Sequence, residues 1–475
     1  MTALWTLDAM TAAMRAQKSG VLPAEVNGVS IDSRSIAKGD AFFALTDVRD
    51  GHEFVAAALQ AGAALAVVAQ DKHAQFAAGA PLLVVPDVLD GLRDLGRAAR
   101  TRSNAKIIAV TGSVGKTGTK EALRLALTPE GETHASVASY NNHWGVPLSL
   151  ARCPPSARYA IFEIGMNHAG EITPLTKLVR PHIAIVTTIA PVHLQYFGSL
   201  EKIAEAKAEI FSGLEPGGAA ILNRDNAQYD QLARAANAAG VKRVVTFGEH
   251  ANAEARLLKF SLHAECSTVQ AEILGVPVTY KLGAPGRHLV LNSLAVLAAV
   301  SLAGADLALA TLALNRLEPA AGRGTRMTLS VPGGSLLLID ESYNANPASM
   351  RAAIALLGQS PVGPRGRRVA VLGDMLELGA QGAALHRELA GPLKAAADLV
   401  FCSGPQMRAL WEALPSERRG GYAGSAAELE ATVLDAMRAG DAVMVKGSLG
   451  SKMAPIVKAM QRRFPRAAAL ESAQD

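Results

Sequence analysis

Thr111-Gly-Ser-Val-Gly-Lys-Thr117 follows the apolar run Ile107–Thr111 and leads into a helical pattern. Glycines here let backbone N–H groups close around phosphate oxygens, and the start of a helix adds positive potential. Lys116 then reaches the β- and γ-phosphates of a nucleoside triphosphate, and the Thr117 hydroxyl ligates Mg²⁺. The full phosphate-loop pattern has glycine at the position that Val110 occupies in this chain. The strand–loop–helix setting still makes a chance Gly-Lys-Thr the weaker explanation. Thr111, Gly112, Ser113, Gly115, Lys116 and Thr117 are therefore expected to hold the phosphates of a nucleoside triphosphate.

Working outward, apolar strands are expected on both sides of this loop. The central region contains Tyr159–Ile164, Ile183–Thr187, Ala219–Leu222 and Val244–Phe247, and helical patterns separate several of them. Before it come Val29–Ile31, Ala41–Leu45 and Leu65–Ala69; after it come Ser335–Ile339, Arg368–Leu372, Leu399–Cys402 and Ala442–Val445. Apolar strands alternating with helices imply an α/β fold of parallel sheets covered by helices. Three domains are expected: a small mixed α/β domain over 1–83, a central P-loop NTPase-like domain over 84–316, and a Rossmann-like domain over 317–475. Ligands of such sheets sit beyond the carboxyl ends of the strands.

Composition narrows the function classes. With 475 residues, 49% hydrophobic and 19% charged, the chain can bury large cores and is not globally disordered. The net charge of +5 is small for this length, and the short basic runs lack interleaved aromatics, which argues against nucleic-acid binding. Three scattered cysteines argue against a disulfide framework and a thiolate zinc cluster, and fit a cytoplasmic location. The start of the chain does not resemble a secretory signal. Leu289–Leu314 is long enough to span a bilayer, but Asn292, Ser293 and Gly304-Ala-Asp306 break it into two expected buried helices.

Several segments carry a family resemblance. NNHWGVPLSL (141–150), EIGMNHAGEI (163–172), APVHLQYFGS (190–199), EAKAEIFSGL (205–214), LNRDN (222–226), DESYNANPAS (340–349), LGDMLELG (372–379) and VKGS (445–448) occur in this order. Together with the shortened loop they resemble the ATP-dependent Mur ligases of peptidoglycan synthesis, over essentially the whole chain. The Tyr-Asn-Ala-Asn-Pro and Asn-Asn-x-x-Gly-x-Pro stretches most resemble the branch that joins D-alanyl-D-alanine to UDP-N-acetylmuramoyl-tripeptide. The Asp-Asn-Pro-Arg segment of the diaminopimelate-adding branch is absent.

The resemblance implies ATP, Mg²⁺ at two positions, UDP-N-acetylmuramoyl-tripeptide and D-alanyl-D-alanine as ligands, and a monomer. It implies metal roles for Thr117, Glu163, His193 and Lys207, with Lys116, His193 and Lys207 catalytic. Lys207 matches a lysine carbamylated by CO₂, a change from cation to anion that requires the neutral amine. Asn292, Arg323 and Asp340 match nucleotide contacts. Asn141, Asn142, Tyr343, Asn344, Asn346, Lys446 and Ser448 match substrate contacts. In the first domain Ser33, Arg34, Asp50 and His52 lie in segments resembling the muramyl-peptide nucleotide site. Two alternatives stay open from sequence: a sibling ligase that adds one amino acid, and a nucleotide-switch protein that hydrolyses ATP or GTP.

Overall fold

The computed structural model describes residues 3–137, 139–192 and 194–467. Three helix-covered sheets follow one another along the chain. The first has five strands in the order Gln17–Ser19, Leu82–Val85, Leu65–Ala69, Asp40–Phe43, Gly28–Ser30. The expected 83/84 boundary falls inside Leu82–Val85, because that apolar run completes this sheet. The helix Val88–Arg102 follows, packing on Leu7–Met14 of the first domain and on Gly145–Ala151 of the second. Its Arg100 is buried and donates to the carbonyls of Val179 and Arg180 and to Glu215, which ties the helix to the second domain.

The central sheet has nine strands, and Lys106–Thr111 lies between Ile183–Val186 and Tyr159–Glu163. All three run parallel. Their side chains are buried on both faces, which is why the sequence reads as unbroken apolar runs. One core lies between this sheet and the helices Lys116–Leu127, Arg287–Leu302 and Leu307–Leu314. The other lies under Gly145–Ala151, Ile172–Val179, Leu200–Ala208 and Tyr229–Ala238. The long apolar stretch is two helices, as expected. Gly304 turns at φ +74°, and the Asp306 side chain caps the second helix by accepting from the Leu309 N–H. No helix among the described residues is long and apolar enough to cross a membrane.

The sheets are not wholly parallel. Ala255–Leu262, Ser267–Ile273 and Val276–Leu282 form an antiparallel edge on the central sheet. Ser267–Ile273 alternates buried and exposed residues, so it lacks the apolar run by which the other strands are legible. Its turn places Leu274 and Gly275 at φ +50° and +86°, the left-handed pair of a two-residue hairpin. The third sheet, in the order Thr325–Val331, Gly334–Glu341, Ala442–Lys446, Arg368–Gly373, Leu399–Ser403, Arg419–Ala423, is antiparallel at its first pair. In the first sheet Gln17–Ser19 pairs antiparallel.

Candidate functional site

Val110 is wholly buried inside its strand, opposite Glu163 on one side and Ile185 on the other. A glycine is therefore not required there, and the turn begins at Gly112. At Gly112 φ is +143°, and a Cβ would lie 2.0 Å from Thr187 Oγ1. Gly115, at φ +88°, caps the helix Lys116–Leu127, and a Cβ there would lie 2.5 Å from Asn292 Nδ2. The loop is thus a cradle that side chains would fill. We expect Gly112→Ala to lower stability by about 1–3 kcal/mol, from the disfavoured φ and the clash together. A shift of the urea midpoint at unchanged slope checks this.

Lys116 folds over the loop, with Nζ donating to the Gly112 carbonyl at 2.7 Å. Its pKa is lowered, first by desolvation; Glu163 opposes the shift and Arg323 adds to it. Ser113, Gly115, Lys116 and Thr117 line a cleft of about 590 Å³. One expected contact is corrected: Thr111 is wholly buried in the strand. Gly112 has its carbonyl taken by Lys116. Ser113 is partly engaged as well: its N–H donates to the Thr188 carbonyl, and its hydroxyl bonds with Ala190.

Glu163 ends the neighbouring strand and is 1% exposed. Its Oε2 accepts from Thr117 Oγ1 at 2.8 Å and its Oε1 from Asn141 Nδ2 at 2.6 Å. Ser139 Oγ lies 3.2 Å from Thr117 Oγ1. These hard oxygen donors suit Mg²⁺, completed by phosphate oxygens and water. Lys207 sits in the helix Leu200–Ala208 and is 2% exposed. Its pKa lies well below the ordinary lysine value, because of burial and then the Lys116 ammonium. His193 lies outside the described residues.

The third domain supplies the opposite wall. Arg323 Nη2 donates to Ser139 Oγ at 3.2 Å, and its guanidinium lies 4.2 Å from the centre of the Tyr343 ring. Lys446, 1% exposed, has Nζ 3.1 Å from Glu341 Oε2 and 3.0 Å from the Asn344 carbonyl. Tyr343, Asn344, Asn346 and Lys446 all line the cleft.

Several expected roles change. Asp340 folds its carboxylate onto the Ser342 N–H and hydroxyl, and the acid at the cleft is the next residue, Glu341. Strand alternation sends the two to opposite faces. The Asn346 side chain caps Pro347–Gln359 in a capping box with Ser349. Ser448 Oγ donates to the Ala345 carbonyl and accepts from the Leu376 N–H, so it ties loops together. Asn142 Oδ1 accepts from the Gly145 N–H, at the start of a helix. Asn292 stands against Gly115, beside the cleft.

In the first domain Arg34 is exposed and pairs with Asp32 at 2.7 Å, while Ser33 opens the short helical turn that Asp32 caps. Asp50 and His52 are structural. His52 Nδ1 lies 2.6 Å from Asp50 Oδ1, and its Nε2 accepts from the Ala69 N–H, which leaves neither ring nitrogen for a ligand. Reading the sequence missed Ser139 and Glu341. Alternation along Gly334–Glu341 was the available signal for Glu341, whereas Ser139 offered none.

Comparison with known proteins bears on this geometry. Residues 25–109 match the model "Mur ligase family, catalytic domain", 110–300 the Mur ligase middle domain, and 325–449 the Mur ligase glutamate ligase domain. The UDP-N-acetylmuramoyl-tripeptide–D-alanyl-D-alanine ligase of Escherichia coli is 34% identical over 96% of this chain and 98% of its own length. The enzyme of the same name from Rickettsia prowazekii is 32% identical over 91% of this chain and 94% of its own length. A crystal structure of MurF from Acinetobacter baumannii superposes with a TM-score of 0.82 at 28% identity, covering 96% of this chain and 99% of that one. MurF from Thermotoga maritima, solved in complex with ADP, gives a TM-score of 0.74 at 23% identity over 92% of this chain and 98% of that one, a likeness of fold.

Proposed function

This chain belongs to the Mur ligase family, and we propose on that premise that the cleft performs its amide ligation with the residues just described. The enzyme joins D-alanyl-D-alanine to UDP-N-acetylmuramoyl-tripeptide, with cleavage of ATP to ADP and phosphate, in peptidoglycan synthesis. A tripeptide carboxylate oxygen attacks the γ-phosphorus, and the bond to the ADP oxygen breaks. The dipeptide amine then attacks the acyl carbon and loses a proton, and phosphate leaves with the carboxylate oxygen. Two anions must meet at the first step, so the site's task is positioning and charge stabilisation.

The residues divide that work. Backbone N–H groups of the glycine loop and Lys116 hold the triphosphate. Thr117 and Glu163 are the residues that would hold Mg²⁺, a cation that supplies Lewis-acid neutralisation of phosphate charge when bound. Lys207, buried and held toward its neutral form, takes CO₂ on Nζ with loss of a proton, and the carbamate would serve a second Mg²⁺; His193 belongs with that pair. Arg323 brings a cation from the third domain to the phosphates, and Glu341 takes the nucleotide role expected of Asp340. Tyr343, Asn344 and Lys446 present the dipeptide. Arg34, exposed and paired with Asp32, is the first-domain cation that would meet an anionic group of the UDP-sugar peptide.

The carrying observation is the Thr117–Glu163–Asn141 cluster beside the glycine cradle, facing Arg323 and Lys446 across one cleft. We place the enzyme in the cytoplasm, as a monomer of three domains that close on nucleotide and substrate. Changing the acceptor tests the specificity. Phosphate release with tripeptide nucleotide and ATP should be rapid with D-alanyl-D-alanine and at background with free D-alanine. Equal rates would assign the chain to a branch that adds single amino acids.

A further inference from the structure

One turn beyond Lys116, a second lysine lies under the cleft, and the reaction above does not use it. Lys120 is 0% exposed. Burying an ammonium is costly unless it is both paired and hydrogen-bonded. Lys120 is both. Its Nζ donates to the Ser136 carbonyl at 2.5 Å and lies 2.9 Å from Glu121 Oε1.

Ser136 is held on its other sides too. Its N–H donates to the Ile161 carbonyl at 3.1 Å, and its Oγ accepts from the Glu163 N–H at 3.3 Å. It also precedes, along the chain, two residues at the candidate cation position. Three residues on, Ser139 meets Thr117 and Arg323; two further, Asn141 donates to Glu163.

We propose that Lys120 is a positioning residue: by gripping the Ser136 carbonyl it anchors Ser136, ahead of Ser139 and Asn141 in the chain, so that these two hold Thr117 and Glu163 in the arrangement that binds a divalent cation with the nucleotide. Lys120 acts through Ser136. The proposal rests on the ATP-ligase reading of the cleft. It goes beyond that reading in giving the buried lysine a task distinct from packing, since a methionine would fill similar space without needing a counter-charge.

The test is Mn²⁺ binding to the full chain in the presence of ADP, followed by electron paramagnetic resonance. Lys120→Met should weaken Mn²⁺ about tenfold, as loss of a residue supporting metal ligands does, and leave the KM for D-alanyl-D-alanine unchanged. Ser139→Ala should weaken Mn²⁺ similarly, and the double variant no further than the single ones, because both act on one segment. Wild-type Mn²⁺ affinity in Lys120→Met, or fully additive losses, would overturn the proposal. If Lys120→Met does not fold, Lys120→Gln, which withdraws the ammonium from the Ser136 carbonyl while keeping a polar side chain, is read the same way. A wild-type chain that binds no Mn²⁺ with ADP would overturn the cleft reading, and this proposal with it.

Discussion

In a Lys116→Ala variant, phosphate release with ATP, tripeptide nucleotide and D-alanyl-D-alanine falls by on the order of 10³-fold or more, while the fold is retained. The magnitude follows from removing a preorganised cation from a charged transition state inside a cleft, where one lost donor alone removes about 10²–10³ from kcat. Among the described residues Lys116 is the cation that bonds the glycine loop. Arg323 comes from the third domain, is directed at Ser139 and Tyr343, and cannot take over the bond to the Gly112 carbonyl. Retention of fold follows because the loop's conformation is carried by Gly112, Gly115 and the Ser113–Thr188 and Ser113–Ala190 hydrogen bonds. A coupled phosphate assay beside a thermal melt checks both halves. Activity near that of the wild type would remove the glycine loop from the mechanism.

Lys207→Met separates activity from stability in opposite directions. Activity falls by about 10²-fold or more, because the side chain that becomes an anionic metal partner is gone. Stability of the ligand-free chain, in CO₂-depleted buffer at neutral pH, rises. The sign follows from linkage. The folded pKa of Lys207 is depressed by burial and then by Lys116, so the unfolded chain binds the proton more readily than the folded one. Burial of the amine therefore opposes folding at neutral pH, and its cost shrinks as pH rises toward the ordinary lysine range. An isosteric apolar side chain escapes it. The melting temperature of Lys207→Met should exceed that of the wild type at pH 7, with the gap narrowing by pH 10. A gap that is absent at pH 7, or that widens with pH, would contradict this reading of the site.

Much of the molecule was legible before its structure, for identifiable reasons. The strand Lys106–Thr111 and its parallel neighbours are buried on both faces, so their burial is written as apolar runs. The two helices of the 287–314 stretch are marked by the Gly304 turn and the Asp306 cap. Ser267–Ile273 was not legible, because a half-exposed strand spends alternate positions on polar residues. In the site, Thr117 and Asn141 both bond Glu163, which lies 46 residues beyond Thr117 in the chain.

Residues whose task depends on partners were harder to read. His52 and Asp50 look like ligand groups in sequence, but the partner of His52 Nε2 is the Ala69 N–H, 17 residues away at the end of the strand Leu65–Ala69. Asp340 and Glu341 are adjacent carboxylates, and only the pleat of Gly334–Glu341 decides which one faces the cleft. Lys120 looks like an exposed helix lysine until the fold brings Ser136 beneath it.

The central claim is that the glycine loop delivers a γ-phosphoryl group to a carboxylate, which then becomes an amide. Labelling the terminal carboxylate of the tripeptide nucleotide with ¹⁸O tests it most directly. The mechanism moves one carboxylate oxygen onto phosphorus and leaves the other in the new amide, so the released phosphate should carry one ¹⁸O atom in every turnover that consumes D-alanyl-D-alanine. Unlabelled phosphate, released with or without acceptor, would mean that water attacks the nucleotide and that the chain is not a ligase of this kind.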